Sequence, residues 1–103
     1  MSTLAKPFTI HFPEDFDAQS EFETPSRGYL SDVIVEMKDG QRYKLFFYDP
    51  VRMRQDLEAE ISAGKPCLAE PNVILLPEVT IENIEKAVQR SWQDGFFHQL
   101  KPL

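Results

Sequence analysis

Alternating hydrophobic and polar positions predict a β-hairpin in the first half of the chain. Apolar residues recur at every second position over 33–37 and again over 43–47, which is the period of a strand with one buried face. A two-residue turn between these strands would place their apolar faces on opposite sides of the sheet. A three-residue loop that ends at Gly40 instead pairs Val35 with Tyr43. We therefore predict a bulged hairpin with Gly40 in the left-handed conformation.

Apolar residues at helical spacing predict two helices after the hairpin. The first follows Asp49 and Pro50, which suit the N-cap and the first helical position, and it continues to about Ala63. The second begins after Thr80, another N-cap residue, and stops near Gly95. Each helix has one apolar stripe with spacings of three or four residues. The stripes are Met53, Leu57 and Ile61 in the first helix and Ile81, Ile84, Val88 and Trp92 in the second.

Two further segments complete the predicted sheet. Residues 8–12 alternate between apolar and polar positions, which is typical of an edge strand, but the pattern leaves open whether they form one. The apolar run at 73–76 precedes a proline and predicts a strand buried on both faces, inside the sheet. The intervening length allows a parallel crossover through the first helix. The predicted fold class is α+β, a two-layer sandwich in which two helices cover one face of a mixed three- or four-stranded sheet, in the order (β)ββαβα.

This arrangement predicts a single hydrophobic core between the sheet and the helices. The residues expected to be buried together come from the hairpin, both helices and the last strand, and they are Val35, Leu45, Leu57, Ile61, Ile74, Ile84 and Val88. A chain of 103 residues, 42% of them hydrophobic, can bury such a core without a metal or a disulfide. We therefore predict one compact domain over residues 1–103.

The opposite face of the predicted sheet carries more apolar residues than a small monomer usually exposes. Ile34, Phe46 and Tyr48 alternate with the core positions and form an apolar stripe on that face. A stripe of this width requires a cover. Either residues 8–12 or a second copy of the chain provides it, and the sequence leaves both open. We expect the stripe to belong to a partner surface, in a homodimer or with another protein.

The acidic residues of the chain are concentrated in one segment. Residues 14–24 hold five acidic residues and no basic one, so they account for most of the net charge of −6. Prolines on both sides of this segment indicate an acidic loop over about 13–28. It is either a solvated loop or a docking surface for a basic protein partner, with charge steering the encounter and phenylalanines as anchors. The residues of this candidate surface are Glu14, Asp15, Phe16, Asp17, Glu21, Phe22 and Glu23.

Composition and charge argue against several function classes. Basic residues are scattered singly, whereas nucleic-acid binding needs clustered Lys and Arg, so no nucleic-acid partner is expected. The sequence contains no apolar segment of about 18 residues and no signal-peptide pattern. Cys67 is its single cysteine, which fits a reducing compartment. We therefore expect no membrane partner and a cytoplasmic location.

The sequence assembles no catalytic or metal-binding set. His11 and His98 lack zinc-site spacing and no glycine-rich phosphate loop occurs, so no metal or cofactor is expected. Trp92, Phe96 and Phe97 form an aromatic cluster at the C-terminal end of the second helix, where core packing is the favoured role. The alternative is that this cluster and His98 line a pocket. We interpret the chain as a small cytosolic, non-enzymatic protein-interaction module, such as an adaptor, an inhibitor or an immunity-like protein. The alternative is a small-ligand-binding domain or minimal enzyme with its pocket between the sheet and the helices.

Overall fold

The computed structural model describes residues 7–103, which form a four-stranded mixed sheet with three α-helices and one short 3-10 helix. The strands are β1 (Phe8–His11), β2 (Tyr29–Met37), β3 (Arg42–Tyr48) and β4 (Val73–Leu75), and the helices are α1 (Ala18–Arg27), α2 (Pro50–Ser62), α3 (Ile81–Gln93) and the 3-10 helix Phe96–Gln99. The strands follow one another across the sheet in chain order. The first three are antiparallel, and β4 is parallel to β3. This architecture confirms the α+β fold class with a mixed sheet and the parallel crossover.

The hairpin between β2 and β3 has the predicted register. Val35 lies opposite Tyr43 and Val33 opposite Leu45, so the apolar faces of both strands coincide. Gly40 has a φ of 90°, which lies in the left-handed region where a residue without Cβ is favoured. Its N–H donates to the Met37 carbonyl oxygen at 3.0 Å. The three-residue loop and the role of Gly40 are therefore confirmed.

The hydrophobic core lies between one face of the sheet and α3. Fully buried side chains of β2 and β3 meet those of α3 and of the segments on either side of it, and the set comprises Val33, Val35, Leu45, Phe47, Val79, Ile84 and Val88. Full burial of one aliphatic or aromatic side chain stabilises a fold by roughly 1.5–3 kcal/mol. The two-layer packing of sheet and α3 is thus the principal source of stability, and we call its side of the sheet the inner face.

Helix α2 has the predicted bounds but lies on the other side of the sheet, which we call the outer face. Tyr48 follows the buried Phe47, so its side chain points away from the inner face. Its ring stacks on that of Tyr29 at 6.2 Å, and the Arg52 guanidinium of α2 lies 4.3 Å from the Tyr29 ring centre. The expectation that both helices share one face is therefore corrected. Because α2 lies outside the core between the sheet and α3, Ile61 is 55% exposed.

The acidic segment contains a helix, so the prediction of a loop over about 13–28 is wrong. Asp17 caps α1 by accepting a hydrogen bond from the Ser20 N–H at 2.8 Å, and this bond holds the pKa of the Asp17 carboxyl below its ordinary value. Gly28 ends the helix with a φ of 76°. Pro25 had indicated a loop, but it lies in the last turn of α1. There it removes at most one main-chain hydrogen bond of the helix.

The sequence predicted one edge strand of the sheet correctly and the other wrongly. Residues 8–11 form the edge strand β1 beside β2, which confirms the expected edge strand. Strand β4 pairs with β3 but lies at the opposite edge, so the prediction that it runs inside the sheet is wrong. Val73 and Ile74 are half-buried, and Leu75 is 52% exposed. A run of apolar residues can therefore be a short edge strand whose side chains are only partly covered.

Candidate interaction surface

The outer face of the sheet carries two apolar residues that the hydrophobic core does not use. Ile34 and Phe46 alternate with the buried positions of β2 and β3, so they point to the outer face. Both are half-buried and neither belongs to the core cluster. Strand β1 does not cover them, because it extends the sheet sideways beside β2. These two residues therefore lie on a face that residues 8–12 leave uncovered.

Tyr48, the third residue of the predicted stripe, is buried at one end of this face. Only 7% of it is exposed, because the first turns of α2 lie against it. Burial raises the pKa of the Tyr48 phenol, and the negative charge and hydrogen bonding of Asp56 raise it further. Tyr48 therefore packs against α2, and Ile34 and Phe46 are the residues of the stripe that are only half-buried.

Charged residues on the outer face are segregated by strand. Strand β2 supplies Asp32 and Glu36, whereas β3 supplies Arg42 and Lys44. The Glu36 carboxylate lies 3.1 Å from the His11 imidazole, and the Lys44 ammonium lies 3.6 Å from Asp32. Arg42 is exposed and has no ion pair within residues 7–103. An acidic row thus runs beside a basic row.

An apolar cavity of about 550 Å³ separates α2 from the chain segment that leads to β4. Its lining comprises Met53, Leu57, Leu68, Ala69, Glu70, Pro71 and Val73. Val73 is paired with Phe46 across β3 and β4, so the cavity adjoins the apolar part of the outer face. The sequence pattern placed Leu57 in the core, because a helical stripe does not reveal which layer will cover it.

The N-terminal end of α2 is fixed to the body by Arg52. Its guanidinium contacts the Tyr29 ring and donates to the Arg27 carbonyl oxygen at 3.1 Å, whereas its ion pair with Asp56 at 2.9 Å lies within α2 itself. No residue of α2 is buried, so these contacts supply much of its attachment. The sequence explained Asp49 and Pro50 as a helix start but gave no signal for this role of Arg52.

The acidic candidate surface divides into anchored and exposed residues. Phe16 is half-buried and stacks on Phe12 at 5.2 Å. Glu23 is partly buried and pairs with Arg27, and Asp17 caps α1. Phe22 is 74% exposed, on the solvent side of α1. The remaining members of the predicted set are exposed acids, namely Glu14, Asp15 and Glu21.

The predicted partner surface comprises the apolar stripe of the sheet and the acidic segment, and the structure brings these two parts together only in part. Asp15 and Phe16 share a small hollow of about 190 Å³ with Asp32 of β2. This hollow joins the start of the acidic segment to the acidic row of the outer face. Phe22, Ile34 and Phe46 do not line this hollow.

The predicted aromatic pocket is largely brought together by the fold. Trp92, Phe97 and His98 line one cavity of about 380 Å³ together with Tyr43. Phe97 is buried and meets the Tyr43 ring edge-on at 5.1 Å, so it belongs to the core as well. Phe96 lies elsewhere, in a hollow beside β4.

The structure brings together neither a metal centre nor a membrane span in the described part of the chain. Over residues 7–103, no three His, Cys, Asp or Glu side chains are placed to hold a metal ion. None of the helices in that range is long and apolar enough to cross a bilayer.

Comparison with known proteins identifies no relative. The chain matches no protein-family model, and neither a curated protein nor a solved structure is significantly similar to it. Inference about function therefore rests on the surfaces described above.

Proposed function

We propose that this protein is a small, non-enzymatic protein-interaction module that binds through the outer face of its sheet. The observation that carries the proposal is that Ile34 and Phe46, diagonal neighbours across β2 and β3, lie on that face outside the hydrophobic core. Apolar side chains that the fold leaves uncovered favour association, because burial against a partner removes them from water. The adjoining cavity beside Met53 and Leu57 enlarges the available apolar area.

A second copy of the chain is the partner that the charges of this face favour. Rotation of a copy by 180° about an axis parallel to the strands lays β2 of each copy over β3 of the other. Glu36 then faces Arg42 of the second copy, and the acidic row meets the basic row. Helix α2 contacts the face at the Tyr48 end, whereas Glu36 and Arg42 lie at the hairpin end. Another protein with a similar charge pattern would use the same surface.

The proposed setting is the cytosol. Cys67 is exposed and unpaired within residues 7–103, and a free exposed thiol is best tolerated in a reducing compartment. The acidic helix α1, with Phe22 exposed on it, is a second surface of the same module for a basic partner.

The test is affinity capture from a lysate of the source cell with three matched baits. These are the wild-type protein, Phe46→Glu and Phe22→Glu. Each substitution replaces a phenylalanine outside the core with one negative charge, at the half-buried Phe46 of the outer face or at the exposed Phe22 of α1. We expect Phe46→Glu to lose the principal captured protein and Phe22→Glu to retain it. Equal capture by the wild type and Phe46→Glu would contradict use of the outer face.

The aromatic cavity supports the alternative function of small-ligand binding. A volume of about 380 Å³ lined by Trp92 and Tyr43 is within the range of small-molecule sites. Trp92 provides a direct signal, since a ligand in the cavity would change its fluorescence. Saturable quenching of Trp92 fluorescence by a metabolite would favour this alternative. The same metabolite should raise the melting temperature of the wild type in a thermal-shift assay but not that of Trp92→Leu.

A further inference from the structure

The free edge of β4 presents unpaired main-chain groups. The Phe46 N–H donates to the Asn72 carbonyl oxygen at 3.1 Å, and the Leu76 N–H donates to the Tyr48 carbonyl oxygen at 2.8 Å. Main-chain groups of alternate residues in a strand point to opposite sides. Val73 and Leu75 therefore direct their N–H and C=O groups away from β3.

These groups lack hydrogen-bond partners within residues 7–103. No turn, loop or cap hydrogen bond in that range involves the main chain of Val73 or Leu75, and β4 is the last strand of the sheet. An edge with unpaired donors and acceptors is a template for a further strand. The exposed Leu75 side chain confirms that solvent reaches this edge.

A hollow of about 440 Å³ lies directly beside the same edge. It is bounded by β4, by the C-terminal end of α3 and by the 3-10 helix, and its lining is Val73, Ile74, Leu75, Ser91, Asp94, Phe96 and Gln99. Phe96, which the sequence grouped with the aromatic pocket, instead supplies an aromatic wall here. A strand added to β4 would direct alternate side chains toward this hollow.

We propose that β4 binds a short extended segment of a partner protein by strand addition, with one apolar side chain of that segment against Phe96. The main-chain groups of Val73 and Leu75 supply the hydrogen bonds, and the hollow supplies side-chain selection. This inference rests on the proposed function as an interaction module and names a class of partner for it. An extended segment is specified because a helix satisfies its own main-chain groups and cannot pair with the edge.

Two prolines limit the length of the added strand. Pro71 and Pro77 bracket β4, and proline cannot donate a hydrogen bond to a ladder. The pairing is therefore confined to Val73 and Leu75, which also protects the edge against indiscriminate aggregation.

The test uses linear random-sequence peptides selected by display on the wild-type protein. A selected peptide is synthesised with single N-methyl groups moved along its main chain, and binding to the wild-type protein is measured by fluorescence anisotropy. Strand addition predicts that methylation weakens binding at every second position of the peptide. Each such methyl group removes one main-chain hydrogen bond, which should weaken binding by about tenfold. Positions between them should tolerate the methyl group.

Protein variants provide a second readout. Leu75→Pro removes one outward N–H but none of the bonds between β3 and β4, and prolines are tolerated on edge strands. We expect it to bind the selected peptide about tenfold more weakly, with circular dichroism like that of the wild type. If Leu75→Pro fails to fold, the N-methyl series on the wild-type protein decides by itself.

Three results would overturn strand addition. They are selection of no peptide above the unselected library, N-methyl effects without a period of two, and full binding by a folded Leu75→Pro. Phe22→Glu, which lies on α1 away from β4, serves as the control and should bind the peptide like the wild type. Loss of captured protein by Phe46→Glu with no peptide binding at β4 would leave the proposed function standing and reject this inference alone.

Discussion

Phe46 and Val73 are direct partners across β3 and β4, and neither contributes to the hydrophobic core. Both side chains point to the outer face, where Val73 also lines the cavity beneath α2. This pairing joins the uncovered centre of the sheet to the apolar side of α2. Phe46 and the lining of this cavity therefore adjoin one another on the outer face, and the described fold covers them only in part.

Substitution of Phe46 should change association without unfolding the protein. In the proposed dimer, Phe46→Glu places a charge in an apolar contact, and desolvation of that charge opposes association. Because Phe46 lies outside the core, its free energy of unfolding should change by about 1 kcal/mol or less. Light scattering coupled to size exclusion should give about twice the 11.9 kDa chain mass for the wild type and a single chain mass for the variant. A monomeric wild type at high micromolar concentration would reject the dimer.

Reversal of charges should test the two-fold arrangement. Glu36→Arg alone places Arg opposite Arg42 of the second copy, and Arg42→Glu alone places Glu opposite Glu36, so each variant should be monomeric. Mixing the two variants should restore a dimer, since each unfavourable pair becomes favourable. A mixture that stays monomeric, or single variants that remain dimeric, would exclude this orientation.

Core and outer positions should differ in their cost of truncation. Ile84 is 1% exposed in the layer between α3 and the sheet, so Ile84→Ala should lower the free energy of unfolding by about 2–5 kcal/mol. Ile61→Ala removes the same atoms from an exposed site and should cost less than about 1 kcal/mol. Urea denaturation of both variants gives the comparison. Equal losses would mean that α2 packs more closely than the structure describes.

The junction between α1 and α2 should be intolerant of any side chain at Gly28. A Cβ there would lie 2.8 Å from the Arg52 Cβ and 2.8 Å from an Asp49 carboxylate oxygen. Gly28→Ala should therefore cost about 2–4 kcal/mol, from the left-handed backbone and from overpacking. Gly64→Ala is the control, because Gly64 also has a positive φ but no atom within 4 Å of its added Cβ.

Chemical denaturation distinguishes these two contributions. Gly64→Ala should lose only about 1–2 kcal/mol, the cost of the left-handed conformation itself. Similar losses at both positions would show that the contact with Arg52 and Asp49 relaxes without cost.

Local interactions explain which parts of the fold were predictable from the sequence. The hairpin register follows from Gly40 and the period of two, and the starts of α2 and α3 follow from the caps Asp49 and Thr80. Each of these features is decided by residues close together in the chain. Prediction succeeded there because short-range geometry and the apolar pattern agree.

Long-range packing explains the parts that were missed. The stripe of α2 has helical spacing, but the pattern does not state which sheet face it will meet, so Ile61 was assigned to a core it does not enter. Pro25 and the run of acids concealed α1, whose end caps are Asp17 and Gly28. The apolar sequence of β4 resembled a central strand, although its position depends on pairing with β3 alone. Of the candidate sites, the outer face was predictable by alternation, whereas the cavity and the β4 edge required the fold.

The most direct measurement of the central claim is quantitative mass spectrometry of proteins captured by the wild type, Phe46→Glu and Phe22→Glu from the same lysate. If the outer face is the binding surface, the abundance of one captured protein, or of the untagged chain itself, should fall sharply with Phe46→Glu. The same protein should remain with Phe22→Glu, because that substitution lies on α1. Undiminished capture by a folded Phe46→Glu, or no capture by the wild type above a bare matrix, would contradict the proposed function.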